Sequence, residues 1–241
     1  MWTQPPANLD LQPQHVDVWR VSLNVEPDSV KQMESTLSAD ETERASRFQF
    51  DKDKHRFLIA RASLRDVLSR YLGCQPNQPI FSISKYGKPA LDNFKMEFNV
   101  SHSGDFALIA VAQDRRVGVD IEKVRQGISS FVIAKQYFSK AEVDELQSLP
   151  LEQRETAFFA CWSRKEAYIK AHGLGLSLPL ESFDVSLAPN EPAIIRATRP
   201  DEKEATRWTL MSFEVSADYG SAVAVEGHGV ELRLWDWNFI Q

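Results

Sequence analysis

The chain uses one plan twice, and this doubling limits its possible folds more than any single motif does. Residues 57 to 72, FLIARASLRDVLSRYL, carry apolar side chains every three or four positions, which predicts an amphipathic helix. The strand-like FSIS at 81–84 and a turn through Gly87-Lys88-Pro89 follow it. In the second half, a predicted helix over 155–171 leads into a Gly/Leu/Pro turn and the strand-like FDVSL at 183–187. An aromatic-basic stretch precedes each helix, RFQF at 47–50 and KQYFSKAEV at 135–143. Strands are predicted at 16–25, 97–101, 106–112 and 117–122, then near 207–215 and 221–226. Residues 189 to 206, rich in proline and charge, read as a surface loop. The expected class is α+β, with two similar α+β halves over 1–113 and 114–241.

Two acidic segments stand out against this plan. In Val117-Gly118-Val119-Asp120-Ile121-Glu122 the β-branched residues face one side of a strand, and Asp120 and Glu122 face the other. The two carboxylates then lie about 7 Å apart and repel unless a cation sits between them. Gly118 shares their face and is expected to let a ligand approach the backbone. A solvated strand edge is the plain alternative. The second segment is Trp162-Ser163-Arg164-Lys165-Glu166-Ala167-Tyr168-Ile169-Lys170. On a helix Trp162, Glu166 and Lys170 share a face with Lys165 beside it, although a surface Glu166–Lys170 pair worth about 0.3–0.5 kcal/mol would give the same spacing. Asp120, Glu122 and Glu166 together offer three oxygen ligands suited to Mg²⁺, or Mn²⁺ in its place, next to phosphate.

Composition narrows the class. A chain of 241 residues with 43% hydrophobic content can bury a substantial core. It has no apolar run near the roughly 20 residues that span a bilayer, and its first residues, MWTQPPANLDLQPQ, lack a signal-peptide pattern. Cys74 and Cys161 are expected as free thiols, so a cytoplasmic monomer with no membrane partner is expected. A net charge of −6 argues against general nucleic-acid binding. Residues 44 to 70 nonetheless carry eight basic and three acidic side chains. That run is either a solvated helix face or a seat for several phosphates.

The strings FNVSHSG (98–104), VGVDIEKV (117–124) and WSRKEAYIKAHGLGLSLPL (162–180) resemble those of the 4′-phosphopantetheinyl transferases. The chain length and the Lys85-Tyr86-Gly87-Lys88-Pro89 loop resemble the longer, surfactin-synthetase-activating (Sfp) type. The resemblance implies an intramolecular pseudo-dimer with its active site in the cleft between the halves. It implies transfer of 4′-phosphopantetheine from coenzyme A to a serine hydroxyl of an apo acyl or peptidyl carrier protein, releasing 3′,5′-ADP. By the same resemblance Asp120, Glu122 and Glu166 hold the metal, and Lys170 contacts the pyrophosphate. Lys165 either does the same or pairs with a carboxylate. Lys88, Ser101 and His102 meet the coenzyme's phosphates, and Arg47, Arg56 and Arg61 its 3′-phosphate region. Phe57 stands where some relatives carry a small hydroxyl residue. Glu142 falls at the position proposed for the general base, while Ser139-x-x-Glu142 also reads as a capping box.

Two surface assignments stay open. The segment 127–138, with Ile128, Phe131, Val132, Ile133, Tyr137 and Phe138, is either the carrier-facing surface or helix core. Leu232, Leu234, Trp235, Trp237 and Phe239 form either a packed strand or an adhesive tail. Two competing functions are another Mg²⁺-dependent phosphotransferase, which would lack a P-loop here, and a non-catalytic module binding coenzyme A or a carrier.

Overall fold

The computed structural model describes residues 1–91, 94–125, 127 and 130–238. Its elements run in one order twice. The first pass is β1 (His15–Ser22), α1 (Pro27–Glu34), α2 (Ala39–Ser46), α3 (Asp51–Leu72), the hairpin β2 (Phe81–Ile83) and β3 (Pro89–Leu91), then β4 (Met96–Ser103) and β5 (Phe106–Gln113). The second is β6 (Val117–Lys123), α4 (Ser130–Tyr137), α5 (Lys140–Ser148), α6 (Leu151–His172), the hairpin β7 (Phe183–Val185) and β8 (Ile195–Thr198), then β9 (Trp208–Ser212) and β10 (Tyr219–Glu226). The final strand, β11 (Glu231–Asp236), has no counterpart.

Strand order repeats as well: β1-β5-β4 in the first sheet and β6-β10-β9 in the second, with antiparallel neighbours in both. Alternation along the strands assigns each sheet face to a layer. On β1 and β5, Trp19, Val21, Ile109 and Val111 pack in the cluster that includes Leu64 and Leu68 of α3. Their neighbours Val16, Val18, Leu108 and Ala110 pack against Val117, Val119, Ile121 and Val223 of the other sheet. The far face of the second sheet supplies Ala222 and Ala224 to a cluster with Phe158 and Tyr168 of α6. The resulting layers are helix, sheet, sheet, helix.

Two expectations need correction. Both long helices start earlier than predicted, because Asp51 and Asp53 suit the first turn of α3 and Pro150 leads into α6. The supposed loop over 189–206 contains β8, which pairs with β7 and buries Thr198. Of the two readings of the C-terminal residues, the packed strand is the one found: β11 pairs in parallel with β1. Phe239 and Ile128 lie outside the described residues.

Candidate active site

β4 and β6 lie side by side in different sheets, and side chains of β4 stitch the seam. Asn99, Ser101 and Ser103 alternate along the strand and so share one face. Asn99 Oδ1 accepts from Val119 N at 2.9 Å, and Ser103 Oγ accepts from Lys123 N at 3.0 Å. The hydroxyls also donate to the acidic pair: Ser101 Oγ to Asp120 Oδ1 at 2.9 Å, Ser103 Oγ to Glu122 Oε2 at 3.0 Å. Short polar side chains at alternate positions are what such a seam requires.

The opposite wall is α6. Gly118 lets it approach, since a Cβ there would collide with Ala167 O and Ala171 N and lie 2.8 Å from Lys170 C. The space expected for a ligand at Gly118 is thus taken by helix backbone. That close approach brings Glu166 and Lys170 to the Asp120–Glu122 face. Lys170 Nζ donates to Asp120 Oδ1 at 2.6 Å and to Ser101 Oγ at 2.9 Å.

The charge balance of this cluster is incomplete. Asp120 is 2% exposed, and its Oδ2 has no hydrogen-bond partner among the described residues. Burial, and then the negative charge of Asp120, push both Glu122 and Glu166 above the usual carboxylate range. One lysine is not enough for three carboxylates. Among the described residues no three His, Cys, Asp or Glu side chains converge closely enough to hold a metal ion by themselves. An oxygen-only set with a spare buried oxygen still fits a hard cation that keeps waters or phosphate oxygens as its other ligands.

Two cavities open from the seam. One, of about 280 Å³, is lined by Tyr86, Lys88, Asn99, Glu166 and Lys170 among others. Lys88 Nζ there donates to Val117 O at 3.1 Å and lies 3.6 Å from Glu97, and burial lowers its pKa. The other, of about 420 Å³, is lined by Arg44, Arg56, Phe57, Arg61, Val100 and His102 among others. Arg56 pairs with Asp105 at 3.1 Å, and Arg61 Nε donates to Glu41 Oε1 at 2.8 Å. His102 is exposed at the cavity rim, yet partial desolvation, then the charges of Lys170 and Arg56, lower its pKa. Arg47 lies outside both cavities, exposed and paired with Glu43.

Comparison with known proteins decides the family. Residues 23–114 match the family model for the 4′-phosphopantetheinyl transferase N-terminal region, and residues 116–224 match that for the 4′-phosphopantetheinyl transferase superfamily. The chain is 37% identical to the 4′-phosphopantetheinyl transferase HetI of Nostoc sp. over 98% of both chains. It is 34% identical to the 4′-phosphopantetheinyl transferase Sfp of Bacillus subtilis, over 78% of this chain and 82% of that one. This chain belongs to the 4′-phosphopantetheinyl transferase superfamily. The two matched segments of this phosphopantetheinyl transferase meet at the β5–β6 turn, so Ser101 and Asp120, which touch, come from different ones.

Two assigned residues are not with the others. Glu142 and Lys165 are 1% and 0% exposed and form an ion pair at 2.8 Å on the far side of α6. Glu142 also accepts from Ser139 N and Val185 N, and Lys165 donates to Leu180 O and Phe183 O. The capping box is therefore present, whereas a base or a phosphate contact would require opening a fully bonded pair. In the segment 127–138, Phe138 is buried and Phe131 packs on the second core, while Val132 and Tyr137 are exposed. Sequence reasoning named Arg44 only as a member of the basic 44–70 run, and missed Asn99, Ser103 and the Glu41 carboxylate that holds Arg61. The signal for Asn99 and Ser103 was their alternation with Ser101 opposite the acidic strand.

Proposed function

We propose that this phosphopantetheinyl transferase takes coenzyme A as donor and an apo acyl or peptidyl carrier protein as acceptor. A carrier serine oxygen would bond to the β-phosphorus, the bond from that phosphorus to the departing 3′,5′-ADP would break, and the serine proton would pass to solvent water. The observation that carries this reading is the partnerless Asp120 Oδ2, buried beside two carboxylates with raised pKa values and two cavities lined with basic residues.

Asp120, Glu122 and Glu166 would hold Mg²⁺. A bound Mg²⁺ would offset charge that builds on the pyrophosphate. Lys170, which bonds Asp120 at 2.6 Å, would share its ammonium between that carboxylate and a pyrophosphate oxygen, as a point charge. Lys88 serves the smaller cavity. Arg44, Arg56, Arg61 and His102 form the anionic end's seat in the larger one, with Phe57 as an apolar wall. Arg47 is a peripheral contact at most. The repeated element order supports a pseudo-dimer of residues 1–113 and 114–241, with the site in the cleft between them. The chain's free cysteines support the cytoplasmic location proposed for this monomer. No helix among the described residues is long and apolar enough to cross a membrane.

Intact-mass spectrometry tests the reading. An apo carrier incubated with the protein, coenzyme A and Mg²⁺ gains the mass of one phosphopantetheine, and EDTA prevents it. Asp120→Ala folds and loses at least about 100-fold in kcat. Near-normal turnover in that variant refutes the assignment.

A further inference from the structure

The long helices of the two halves can be laid on each other residue by residue. α3 and α6 each have 22 residues and each end at a left-handed glycine, Gly73 and Gly173. Matching these ends puts Arg65 on Lys165, Asp66 on Glu166 and Arg70 on Lys170. The buried surroundings of Arg65 and Lys165 repeat too. Arg65 Nε donates to Glu41 Oε2 at 2.6 Å, as Lys165 pairs with Glu142 Oε2 at 2.8 Å. Each carboxylate accepts from the backbone N–H of the serine that caps its own helix, Ser38 for Glu41 on α2 and Ser139 for Glu142 on α5; only Ser139 Oγ accepts a bond in return. Each cation bonds two carbonyls after its helix: Pro76 and Pro79 for Arg65, Leu180 and Phe183 for Lys165. Each also lies over the first ring of the following hairpin, Phe81 at 5.1 Å and Phe183 at 4.2 Å.

The halves differ where the acidic strand lies. With Arg70 laid on Lys170, the β1 residue that Arg70 meets, Trp19, holds the place of Asp120, and Val21 that of Glu122. Both are fully buried and apolar. Arg70 stacks on the Trp19 ring at 5.4 Å where Lys170 reaches Asp120. The carboxylate–cation pair therefore persists in a half that has no acidic site to serve.

We infer that Glu142 and Lys165 are positioning residues, the second copy of a clasp that fixes the rotation of α6 and thereby aims Glu166 and Lys170 at β6. Neither touches the substrate. Lys165 is 0% exposed, donates to Leu180 O and Phe183 O and is ion-paired with Glu142, so its ammonium is already compensated and shut away from a phosphate. Glu142 has Ser139 N, Val185 N and Lys165 as partners, and no bond to a residue of the Asp120 cluster.

Four variants and one control test this, with thermal unfolding, Mn²⁺ affinity by electron paramagnetic resonance and the pH profile of kcat as readouts. Glu142→Gln and Lys165→Met each leave a buried partner unpaired, and each lowers Tm by roughly 6–20 °C. The double variant recovers at least half of that loss, and it supplies the folded sample if a single variant does not fold. Below its Tm, Glu142→Gln binds Mn²⁺ roughly tenfold more weakly while the acid limb of its pH profile stays in place. Glu41→Gln lowers Tm alike and releases Arg61, but leaves Mn²⁺ affinity unchanged, because none of the three carboxylates lies on α2 or α3. Unchanged Tm in either Gln variant overturns the clasp. Loss of the acid limb with at least about 100-fold lower kcat and unchanged Mn²⁺ affinity makes Glu142 a base and overturns it too. The metal readout rests on the proposed function, and Asp120→Ala separates the two. If that variant binds Mn²⁺ normally, the metal assignment fails while the Tm pattern still judges the clasp.

Discussion

His102 sits at the seam with its charge set by neighbours rather than by its own chemistry. Partial desolvation, Lys170 and Arg56 all disfavour the imidazolium, so the folded protein holds fewer protons at this site than the unfolded chain just below pH 6.5. The sign follows: this group's contribution to stability is present above the unfolded pKa and is lost as pH falls through the lower folded pKa. A phosphate in the Arg44–Arg56–Arg61 cavity would reverse the balance. The His102 ring proton is therefore expected to titrate below 6.5 by NMR in the free protein and to move upward on adding coenzyme A. Coenzyme A affinity should correspondingly strengthen from about pH 8 to about pH 6. An unmoved titration removes His102 from the site. Residues of this kind were legible because period fixes face: Asp120 with Glu122 on a strand, Glu166 with Lys170 on a helix. Lys165 was not. One position along a helix turns the side chain to the other wall, and only the partner waiting there, Glu142, decides whether a lysine is buried.

Among the elements, α6 does most to place the site, and a glycine on β6 sets how close it comes. Gly118 and Gly220 both admit helix backbone where a side chain would collide, Gly220 against Phe159 O. Gly118→Ala must push α6 away from β6, since the clashing atoms are backbone and cannot rotate aside. The expected cost is about 3 kcal/mol, read as a fall in Tm of roughly 6–12 °C. Because Glu166 and Lys170 move with the helix, turnover should fall together with stability. A variant with full activity and unchanged Tm would mean that the helix is not held by this contact. The sequence marked Gly118 as unusual for the right reason, close approach, but could not say that the approaching group was protein. Likewise the two long helices were visible from apolar spacing, while their first turns, short in apolar residues, were not.

At the scale of the whole molecule, the doubled plan is broken by β11, and the break has an electrostatic fastening. Asp17 of β1 is fully buried and accepts from Arg233 Nε at 2.6 Å, Arg233 Nη2 at 2.8 Å and Tyr71 Oη at 2.5 Å. Arg20 pairs with Asp236 at 2.8 Å, and Trp237 Nε1 donates to Asp66 at 2.7 Å. No local pattern in residues 231 to 237 foretells this, because the pairing partner lies more than two hundred residues earlier. Arg233→Met withdraws two donors from a buried carboxylate and leaves it only Tyr71. The cost should be about 3–5 kcal/mol, or a Tm lower by roughly 6–20 °C. Asp17→Asn added to it removes the uncompensated charge and should restore part of the loss. The carboxylate cluster lies on β4, β6 and α6, and the fastening meets α3 at Asp66 and Tyr71, near the end opposite Arg56, so the folded Arg233→Met protein should load carriers at close to the normal rate below its Tm. Thermal unfolding and intact-mass rates on the same samples decide it. If the rate collapses while the protein stays folded, β11 does more than close the first sheet, and the fastening reaches the site through α3.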